Sequence, residues 1–222
     1  MIAMILAAGR GERLRPLTDS TPKALAEVRG QSLLERHLRA MQLAGIETVV
    51  INLGWLGEQI AERVGSGADY GLNVIYSPEY DGILETGGGI QRALPMLGSE
   101  PFLVVNADIF TDMPMPTADF DAQTLGKLVL VSTPAHKAHG DFDVVDGRLR
   151  NAAKPQLTFS GVAVYRPEFF ADCSAGRFSV APMLRAAADA NQLAASEFTG
   201  TWADVGTIER LEALNSNQAG IS

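Results

Sequence analysis

Cysteine is nearly absent from this chain, which has one, Cys173, among 222 residues. A single cysteine excludes an internal disulfide and a metal site built from several thiolates, and it predicts a reducing compartment, the cytoplasm. Basic residues are also scarce, with 18 Lys and Arg against 26 Asp and Glu and a net charge of -8. That balance argues against nucleic acid as a partner, because duplex binding needs a basic face that displaces counterions.

Long hydrophobic runs are missing as well. No segment approaches the ~20 consecutive apolar residues of a membrane-spanning helix, so no membrane partner is predicted. The first eight residues are apolar, but no basic segment precedes them and Gly9 follows at once, unlike a signal peptide. With 46% hydrophobic and 20% charged residues, the composition is that of a folded domain.

In the first half of the chain, apolar runs of strand length alternate with helical patterns. Met1–Ala8 is continuously apolar, as expected for a central parallel strand that is covered on both faces. Ser32–Ala44 predicts a helix, since Ser32 and Glu35 have the spacing of a capping box. Further elements are predicted at Thr48–Asn52, Leu56–Val64, Leu72–Ser77, Ile90–Leu97 and Phe102–Asn106. This alternation of strands and helices predicts a parallel sheet with right-handed crossovers.

After about residue 111 the pattern changes to strand-like segments with fewer helices. Strands are predicted at Lys127–Thr133, Leu157–Tyr165 and Phe198–Ala203, with a hairpin over Phe142–Arg150 around Asp146-Gly147. Helices are predicted at Pro167–Cys173, Val180–Asn191 and Ile208–Asn215. No repeat or low-complexity linker separates the halves, so we predict one domain, 1–222, with a nucleotide-binding half, 1–110, and a substrate-side half, 111–222.

A loop rich in small residues follows the first predicted strand directly. It reads LAAGRGERLRPLT, and Thr21-Pro22-Lys23 comes shortly after it. Small side chains let backbone amides approach an anion, and glycine reaches positive φ at little cost. Such a loop suits a triphosphate or a phosphoryl group. The candidate phosphate contacts are Leu6, Ala7, Ala8, Gly9, Gly11, Arg13, Arg15 and Lys23.

Two common phosphate-binding motifs do not match this loop. The dinucleotide fingerprint requires a third glycine at the position of Leu14. The Walker A motif requires Gly-Lys-Ser or Gly-Lys-Thr, whereas Glu12-Arg13 follows Gly11. A dinucleotide oxidoreductase therefore stays open only as a weakened alternative.

The loop resembles the signature of the sugar-1-phosphate nucleotidylyltransferases. Similar segments run along nearly the whole chain: LETGGG from Leu84, Asn106-Ala107-Asp108, Ser160-Gly161 and TWADVGT from Thr201. The resemblance implies a Rossmann-like, three-layer α/β fold (αβα) with a mixed, mostly parallel sheet and a small substrate-side lobe. Within the family, the segments and the short length are most similar to members that transfer a uridylyl group from UTP to N-acetylmuramic acid α-1-phosphate in peptidoglycan recycling.

The resemblance implies catalytic roles for four residues. Arg13 would hold the leaving pyrophosphate, and Lys23 would bridge the attacking phosphate and the α-phosphate of the nucleotide. Asp108 and Asp204 would bind Mg²⁺; both are predicted at strand ends, and carboxylate oxygens are ligands that this ion prefers. The alternative for Asp204 is a helix cap near Thr207.

Further residues are implied in binding the base and the sugar. Gly87-Gly88-Gly89 is predicted to open the helix at Ile90 with exposed amides and to pack against the nucleobase and ribose. Glu79 is a candidate acceptor for an imino N–H of the base. The sugar phosphate would contact Lys23, Glu85, Gly88, Asn106, Gly140, Asp141, Lys154, Ser160 and Gly161. At Lys154-Pro155 the chain departs from the Glu-Lys-Pro of relatives, because Ala153 replaces the glutamate.

Several alternatives remain at this point. The same chemistry could act on glucose 1-phosphate, mannose 1-phosphate or phosphocholine, and a non-catalytic nucleotide-sugar sensor is a more remote possibility. His136 and His139 could form a zinc pair, but no third ligand is evident and they are interpreted as incidental loop residues. Relatives with β-helix extensions oligomerise, whereas this chain ends about one helix after Asp204, so a monomer is expected.

Overall fold

The computed structural model describes residues 1–79 and 82–216. Within them the strands are β1 (Ala3–Leu6), β2 (Glu27–Val28), β3 (Gln31–Ser32), β4 (Thr48–Leu53), β5 (Asn73–Pro78), β6 (Phe102–Asn106), β7 (Ile109–Thr111), β8 (Gly126–Ser132), β9 (Asp143–Val145), β10 (Arg148–Arg150), β11 (Leu157–Tyr165), β12 (Leu193–Glu197) and β13 (Trp202–Asp204). The α-helices are α1 (Leu33–Leu43), α2 (Gly57–Val64), α3 (Glu85–Leu97), α4 (Ala181–Asp189) and α5 (Ile208–Ser216). Of the helices in this described part, none has the length and apolar character to cross a membrane.

One sheet of nine strands runs through both halves of the chain, in the order β5-β4-β1-β6-β11-β8-β12-β10-β9. The first four strands are parallel to one another, β11 is antiparallel to both of its neighbours, and β12 is parallel to β8. Two small sheets, β13-β7 and β2-β3, stand beside it. The predicted α/β fold with a mixed sheet is confirmed.

The central position of β1 follows from its sequence. Ala3, Met4 and Ile5 have no solvent exposure, because β4 and β6 flank the strand and helices cover both faces. Alternate residues of a strand point to opposite faces, so Ile5 packs with side chains of α1 and α2, and Met4 with those of α3 and α4. The result is three layers, helices on either side of one sheet.

Two local sequence signals are confirmed in detail. At the start of α1, Ser32 Oγ accepts a hydrogen bond from Glu35 N at 3.2 Å, and Glu35 Oε2 accepts one from Ser32 N at 3.3 Å. These reciprocal bonds satisfy amides that the first helical turn leaves free. In the β9-β10 hairpin, Asp146 and Gly147 both have positive φ, as the predicted tight turn requires.

The predicted strand over 198–203 is wrong. The chain forms β12 before this segment and β13 at its end, and the two strands belong to different sheets. Gly200 lies in the turn between them, where its Cα is so close to the Phe198 ring that a side chain would clash. The helix predicted over 167–173 is also shorter, a single turn of 3₁₀-helix over Pro167–Phe170.

Candidate active site

A cleft of about 680 Å³ opens at the carboxyl ends of β1, β4 and β6. Ligands of open α/β sheets bind at this edge, and the volume is in the range of small-molecule sites. Eleven of the residues that the sequence singled out line the cleft: Leu6, Ala7, Ala8, Gly9, Gly11, Arg13, Lys23, Glu79, Glu85, Asn106 and Asp108. The structure therefore brings the predicted phosphate loop and one predicted metal ligand to one place.

The predicted phosphate loop, residues 7–13 after β1, is held in its conformation by hydrogen bonds from Thr18 and Trp55. Gly11 has φ +62°, and a methyl group there would lie 3.0 Å from both Lys23 Cβ and Thr18 Cγ2. Thr18 Oγ1 donates a hydrogen bond to the Gly11 carbonyl at 2.9 Å, and Trp55 Nε1 donates one to the Thr18 carbonyl at 2.8 Å. These bonds fix the loop, while Arg13 is exposed on the cleft wall.

Lys23 and Asp108 form an ion pair in the cleft. Asp108 stands in the turn between β6 and β7, and its carbonyl accepts a hydrogen bond from Val205 N at 2.8 Å. Lys23 Nζ donates to Asp108 Oδ2, and the lysine side chain is only 15% exposed. A partly desolvated ammonium group at this position can attract the phosphates of a ligand.

Asp204 lies beside this pair, because β13 and β7 align it with Ile109. Both of its carboxylate oxygens accept a hydrogen bond from Arg210 Nη1, each at 2.5 Å. His136 Nε2 lies 3.4 Å from Asp204 Oδ1 and 2.9 Å from Arg210 Nη1. Arg210 was not among the predicted site residues, and His136 was interpreted as an incidental loop residue. The sequence signal for Arg210 is its position six residues after Asp204, in α5.

The two carboxylates fit a divalent metal ion that is bound together with a nucleotide. Across residues 1–79 and 82–216, no group of three or more His, Cys, Asp or Glu residues could hold a metal ion by itself. Mg²⁺ in nucleotide sites commonly takes one or two carboxylates and completes its shell with phosphate oxygens and water. Asp108 and Asp204 could supply such a pair; Asp108 forms an ion pair with Lys23, and Asp204 forms one with Arg210.

A buried histidine supports the turn that carries Asp108. His37 of α1 is 2% exposed and forms a hydrogen bond with the backbone of Ile109. Burial, only partly offset by the nearby Asp108 charge, lowers the pKa of His37 to about 4. His37 is therefore neutral near pH 7, and it packs beneath the site without adding a positive charge to it.

At the other side of the cleft, Asn52 joins the phosphate loop to Glu79. Asn52 Oδ1 accepts a hydrogen bond from Ala7 N at 2.6 Å, and its Nδ2 donates one to Glu79 Oε1 at 2.7 Å. Glu79 Oε2 accepts a further bond from Leu84 N at 3.1 Å, and both side chains are buried. Asn52 lines the cleft but was not predicted as a site residue, because it was interpreted only as the end of the predicted strand Thr48–Asn52.

The predicted role of the triple glycine needs correction. α3 begins at Glu85, not at Ile90, so the glycines lie inside its first turns and are buried. The amides of Gly87 and Gly88 are not exposed to a ligand, because both donate to the Phe178 carbonyl, at 3.0 and 3.1 Å. The glycines serve close packing instead: a methyl group at Gly89 would lie 2.7 Å from Glu79 Oε1.

The first two residues of α3, rather than its glycines, lie at the cleft. Glu85 and Thr86 line the cleft, and Glu85 has φ +61°, a conformation that costs energy outside glycine. Glu85 Oε1 accepts a hydrogen bond from Arg177 Nε at 2.8 Å at the surface.

Ser160 and Gly161 lie behind the cleft and do not line it. The Ser160 hydroxyl is buried; it donates to the Val129 carbonyl at 2.7 Å and accepts from Val162 N at 3.2 Å. Gly161, at φ +82°, allows close approach of Asn106, since a methyl group there would lie 2.7 Å from Asn106 Nδ2. The pairing of β11 with β8 shifts register between Phe159 and Val162, and this bulge places Gly161 against Asn106, which lines the cleft.

The remaining predicted sugar contacts lie outside the cleft lining. Asp141 Oδ2 accepts hydrogen bonds from Lys137 Nζ and Phe159 N, both at 3.0 Å. Gly140 N donates to the Pro155 carbonyl at 3.0 Å, and Lys154 is exposed. Ligand contacts for these residues stay predictions.

Comparison with known proteins agrees with this geometry. Residues 3–138 match the family model of the MobA-like NTP transferase domain. A protein of Neisseria meningitidis serogroup B named N-acetylmuramate alpha-1-phosphate uridylyltransferase is 47% identical over 96% of this chain and 96% of its own. A protein of the same name from Caulobacter vibrioides is 34% identical over 92% of this chain and 91% of its own.

A solved structure also shares the fold along the whole length. It is described as a putative glucose-1-phosphate thymidylyltransferase from Bacillus anthracis in complex with a sucrose. It superposes with a TM-score of 0.85 at 19% identity, covering 100% of this chain and 98% of that one. At this identity the likeness concerns the fold alone.

Proposed function

Since the chain belongs to the MobA-like NTP transferases, and among them to the sugar-1-phosphate nucleotidyltransferases, we propose that it transfers a uridylyl group from UTP to N-acetylmuramic acid α-1-phosphate. The products are UDP-N-acetylmuramic acid and pyrophosphate, and the pathway is peptidoglycan recycling in the cytoplasm. The observation that carries the proposal is the 47% identity to the Neisseria uridylyltransferase over 96% of both chains. The cleft residues support it chemically.

The reaction is an in-line displacement at phosphorus. A phosphate oxygen of the sugar 1-phosphate attacks the α-phosphorus of UTP, and the bond to the β-phosphate oxygen breaks as pyrophosphate leaves. No covalent enzyme intermediate is required, so the protein acts by positioning its substrates and by neutralising charge.

The nucleotide-binding half, residues 1–110, would hold the triphosphate. The backbone amides of the loop from Ala8 to Gly11 would donate hydrogen bonds to the phosphates, and Arg13 on the cleft wall would pair with the leaving pyrophosphate. Lys23 would leave Asp108 to bridge the attacking phosphate and the α-phosphate. The ion pair with Asp108 and the 15% exposure of the Lys23 side chain support this role.

Asp108 and Asp204 would hold Mg²⁺. When bound, the ion would neutralise negative charge on the phosphates and orient them for in-line attack. Asp108 in the turn after β6 lines the cleft, and the pairing of β13 with β7 brings the backbone of Asp204 next to that turn.

Glu79 would recognise the base. Both of its oxygens already accept one hydrogen bond, from Asn52 and from Leu84. A carboxylate oxygen has two lone pairs, so each can accept a second bond, such as one from the imino N–H of uracil. The sugar phosphate would then extend toward Asn106 and the half formed by residues 111–222.

A pyrophosphate-release assay tests the proposal. The purified chain is given UTP, CTP, GTP or dTTP with the 1-phosphates of N-acetylmuramic acid, N-acetylglucosamine, glucose and mannose, and with phosphocholine. We expect the largest kcat/KM for UTP with the muramate compound, and no turnover in excess chelator. Asp108→Asn should slow turnover by at least ~10²-fold, because one charged ligand of the metal is lost.

Equal or better use of glucose 1-phosphate or mannose 1-phosphate would refute the sugar assignment. Full activity in excess chelator would refute the metal assignment. The absence of pyrophosphate release from every pair, in a folded protein, would instead favour a nucleotide-sugar sensor.

A further inference from the structure

Arg210 lies in the first turn of α5, and its side chain forms an ion pair with Asp204. Its Nη1 donates to both oxygens of Asp204 at 2.5 Å, and His136 Nε2 contacts the same Nη1 at 2.9 Å. The two partners are partly shielded from water, at 23% and 26% side-chain exposure. Shielding of this degree strengthens a charge pair relative to a fully exposed one.

The guanidinium group is also fixed against the wall of the cleft. Gly206 lines the cleft, and a methyl group there would overlap Nη2 of Arg210. The side chain therefore depends on a residue without Cβ at position 206. Gly206 has no positive φ, so the requirement is one of space and not of backbone conformation.

We propose that Arg210 is a positioning residue that acts as the counter-ion of Asp204 when no metal is bound. It occupies both carboxylate oxygens that a divalent ion would use, so it competes with that ion. This inference rests on the proposed function. Lys23 likewise pairs with Asp108, through Oδ2 alone, so each candidate ligand has a cationic partner.

The physical consequence is a dependence of metal binding on the nucleotide. A divalent ion that enters alone must displace the guanidinium group and then stand beside two positive side chains. When the ion enters together with a triphosphate, the negative phosphates can pair with the side chains of Lys23 and Arg210 after these leave the carboxylates. Metal affinity should therefore be low in the free protein and should rise strongly when UTP is present, and Arg210 accounts for much of that difference.

The test measures binding of Mn²⁺ by electron paramagnetic resonance, first to the nucleotide-free protein and then with UTP. For Arg210→Gln we expect Mn²⁺ to bind the nucleotide-free protein at least ~10-fold more tightly than in the wild type, and the enhancement by UTP to shrink. Arg210→Lys keeps the charge and should stay near the wild-type affinity. Gly206→Ala, which displaces the guanidinium group, should change affinity in the same direction as Arg210→Gln.

Two controls separate this effect from a general change in charge or folding. Arg63→Gln removes an arginine that pairs with Glu35 on the surface, at 2.8 Å, and should leave Mn²⁺ affinity unchanged. Adding Asp204→Asn to Arg210→Gln should abolish the gain. A cooperative thermal unfolding transition for the wild type and for each variant verifies that every protein in the comparison is folded.

Unchanged Mn²⁺ affinity in folded Arg210→Gln, or weaker binding, overturns the inference. An equal gain in Arg63→Gln also overturns it, because the effect would then follow net charge alone. Failure of the proposed function has a different signature: the wild type would release no pyrophosphate from any substrate pair, whatever the Mn²⁺ affinities are.

Discussion

At the scale of the residue, Lys23 is the side chain whose chemistry can be tested most cleanly. Its ammonium group touches Asp108 and lies in the cleft, next to the loop that would bind the triphosphate. If Lys23 has the proposed role, Lys23→Ala should lower kcat by ~10²–10³-fold, because a donor to the charge that develops between the two substrates is lost. The KM for UTP should change little, since the loop amides remain.

Steady-state kinetics at saturating sugar phosphate measure both parameters. Lys127→Ala is the matched control, because Lys127 pairs with Asp119 at the surface, at 2.9 Å, and should leave kcat unaltered. An unchanged kcat with a raised KM in Lys23→Ala would make Lys23 a ground-state ligand of the nucleotide instead.

His37 gives a second prediction at this scale, on stability. Burial lowers its pKa in the folded protein to about 4, from 6.5. Between these values the unfolded chain binds more protons than the folded one, so the free energy of unfolding falls as the pH falls from about 6.5 to about 4. The loss from this group should approach about 3 kcal/mol at pH 4.

Urea unfolding of the wild type and of His37→Gln between pH 4 and pH 7 checks this prediction. The pH dependence of the wild type in this window should be steeper than that of the variant, which has no group at 37 to protonate. Parallel profiles for the two proteins would show that His37 does not carry the effect.

Among these residues, the sequence predicted those that belong to a continuous motif. The loop after β1, Lys23 and Asp108 line one cleft; the loop follows the first strand directly, and Asp108 follows another parallel strand of the same sheet. Their roles toward a ligand stay predictions. Asn52 and Arg210 were not predicted, since each acts on a residue brought to it only by folding, Ala7 and Asp204. Nothing in the sequence distinguishes them from ordinary polar residues at an element end.

At the scale of the element, the triple glycine of α3 allows a helix to approach the buried Glu79-Asn52 pair. A methyl group at Gly89 would lie 2.7 Å from Glu79 Oε1 and 3.0 Å from Asn52 Nδ2. Gly89→Ala should therefore raise the Kd for UTP by ~10-fold and destabilise the fold by about 1–3 kcal/mol, the usual cost of overpacking. Isothermal titration with UTP and urea unfolding measure these two quantities.

Arg92→Ala on the exposed side of the same helix is the control, and it should alter neither quantity. Equal behaviour of the two variants would contradict the role given to the glycines. The helix start itself was mispredicted by five residues because glycine is a poor helix former, and packing against Phe178 and Glu79 overrides that local preference.

The strands show the same division between local and non-local information. β11 was predicted with its observed bounds, since a run of alternating and β-branched residues identifies a buried strand. The strands within residues 193–204 were not predicted with their observed bounds, because β12 and β13 belong to two different sheets. The break between them lies at Gly200, which packs against Phe198. Periodicity within one segment cannot indicate which sheet it joins.

At the scale of the whole molecule, the small β13-β7 sheet completes the site. It aligns Asp204 with Ile109, next to Asp108, although 96 positions separate the two carboxylates in the chain. The sequence predicted two acidic strand ends, and the topology brings them together. This long-range pairing joins the half predicted to bind the nucleotide, residues 1–110, to the half predicted to bind the sugar phosphate, residues 111–222.

The most direct test of the central claim is a competition experiment with mass-spectrometric detection. Wild-type protein, UTP and Mg²⁺ are incubated with an equimolar mixture of the 1-phosphates of N-acetylmuramic acid, N-acetylglucosamine, glucose and mannose. Early product ratios equal the ratios of kcat/KM, so concentration effects cancel. Our account predicts UDP-N-acetylmuramic acid as the dominant product. Predominance of any other UDP-sugar, or a product distribution without preference, would contradict it.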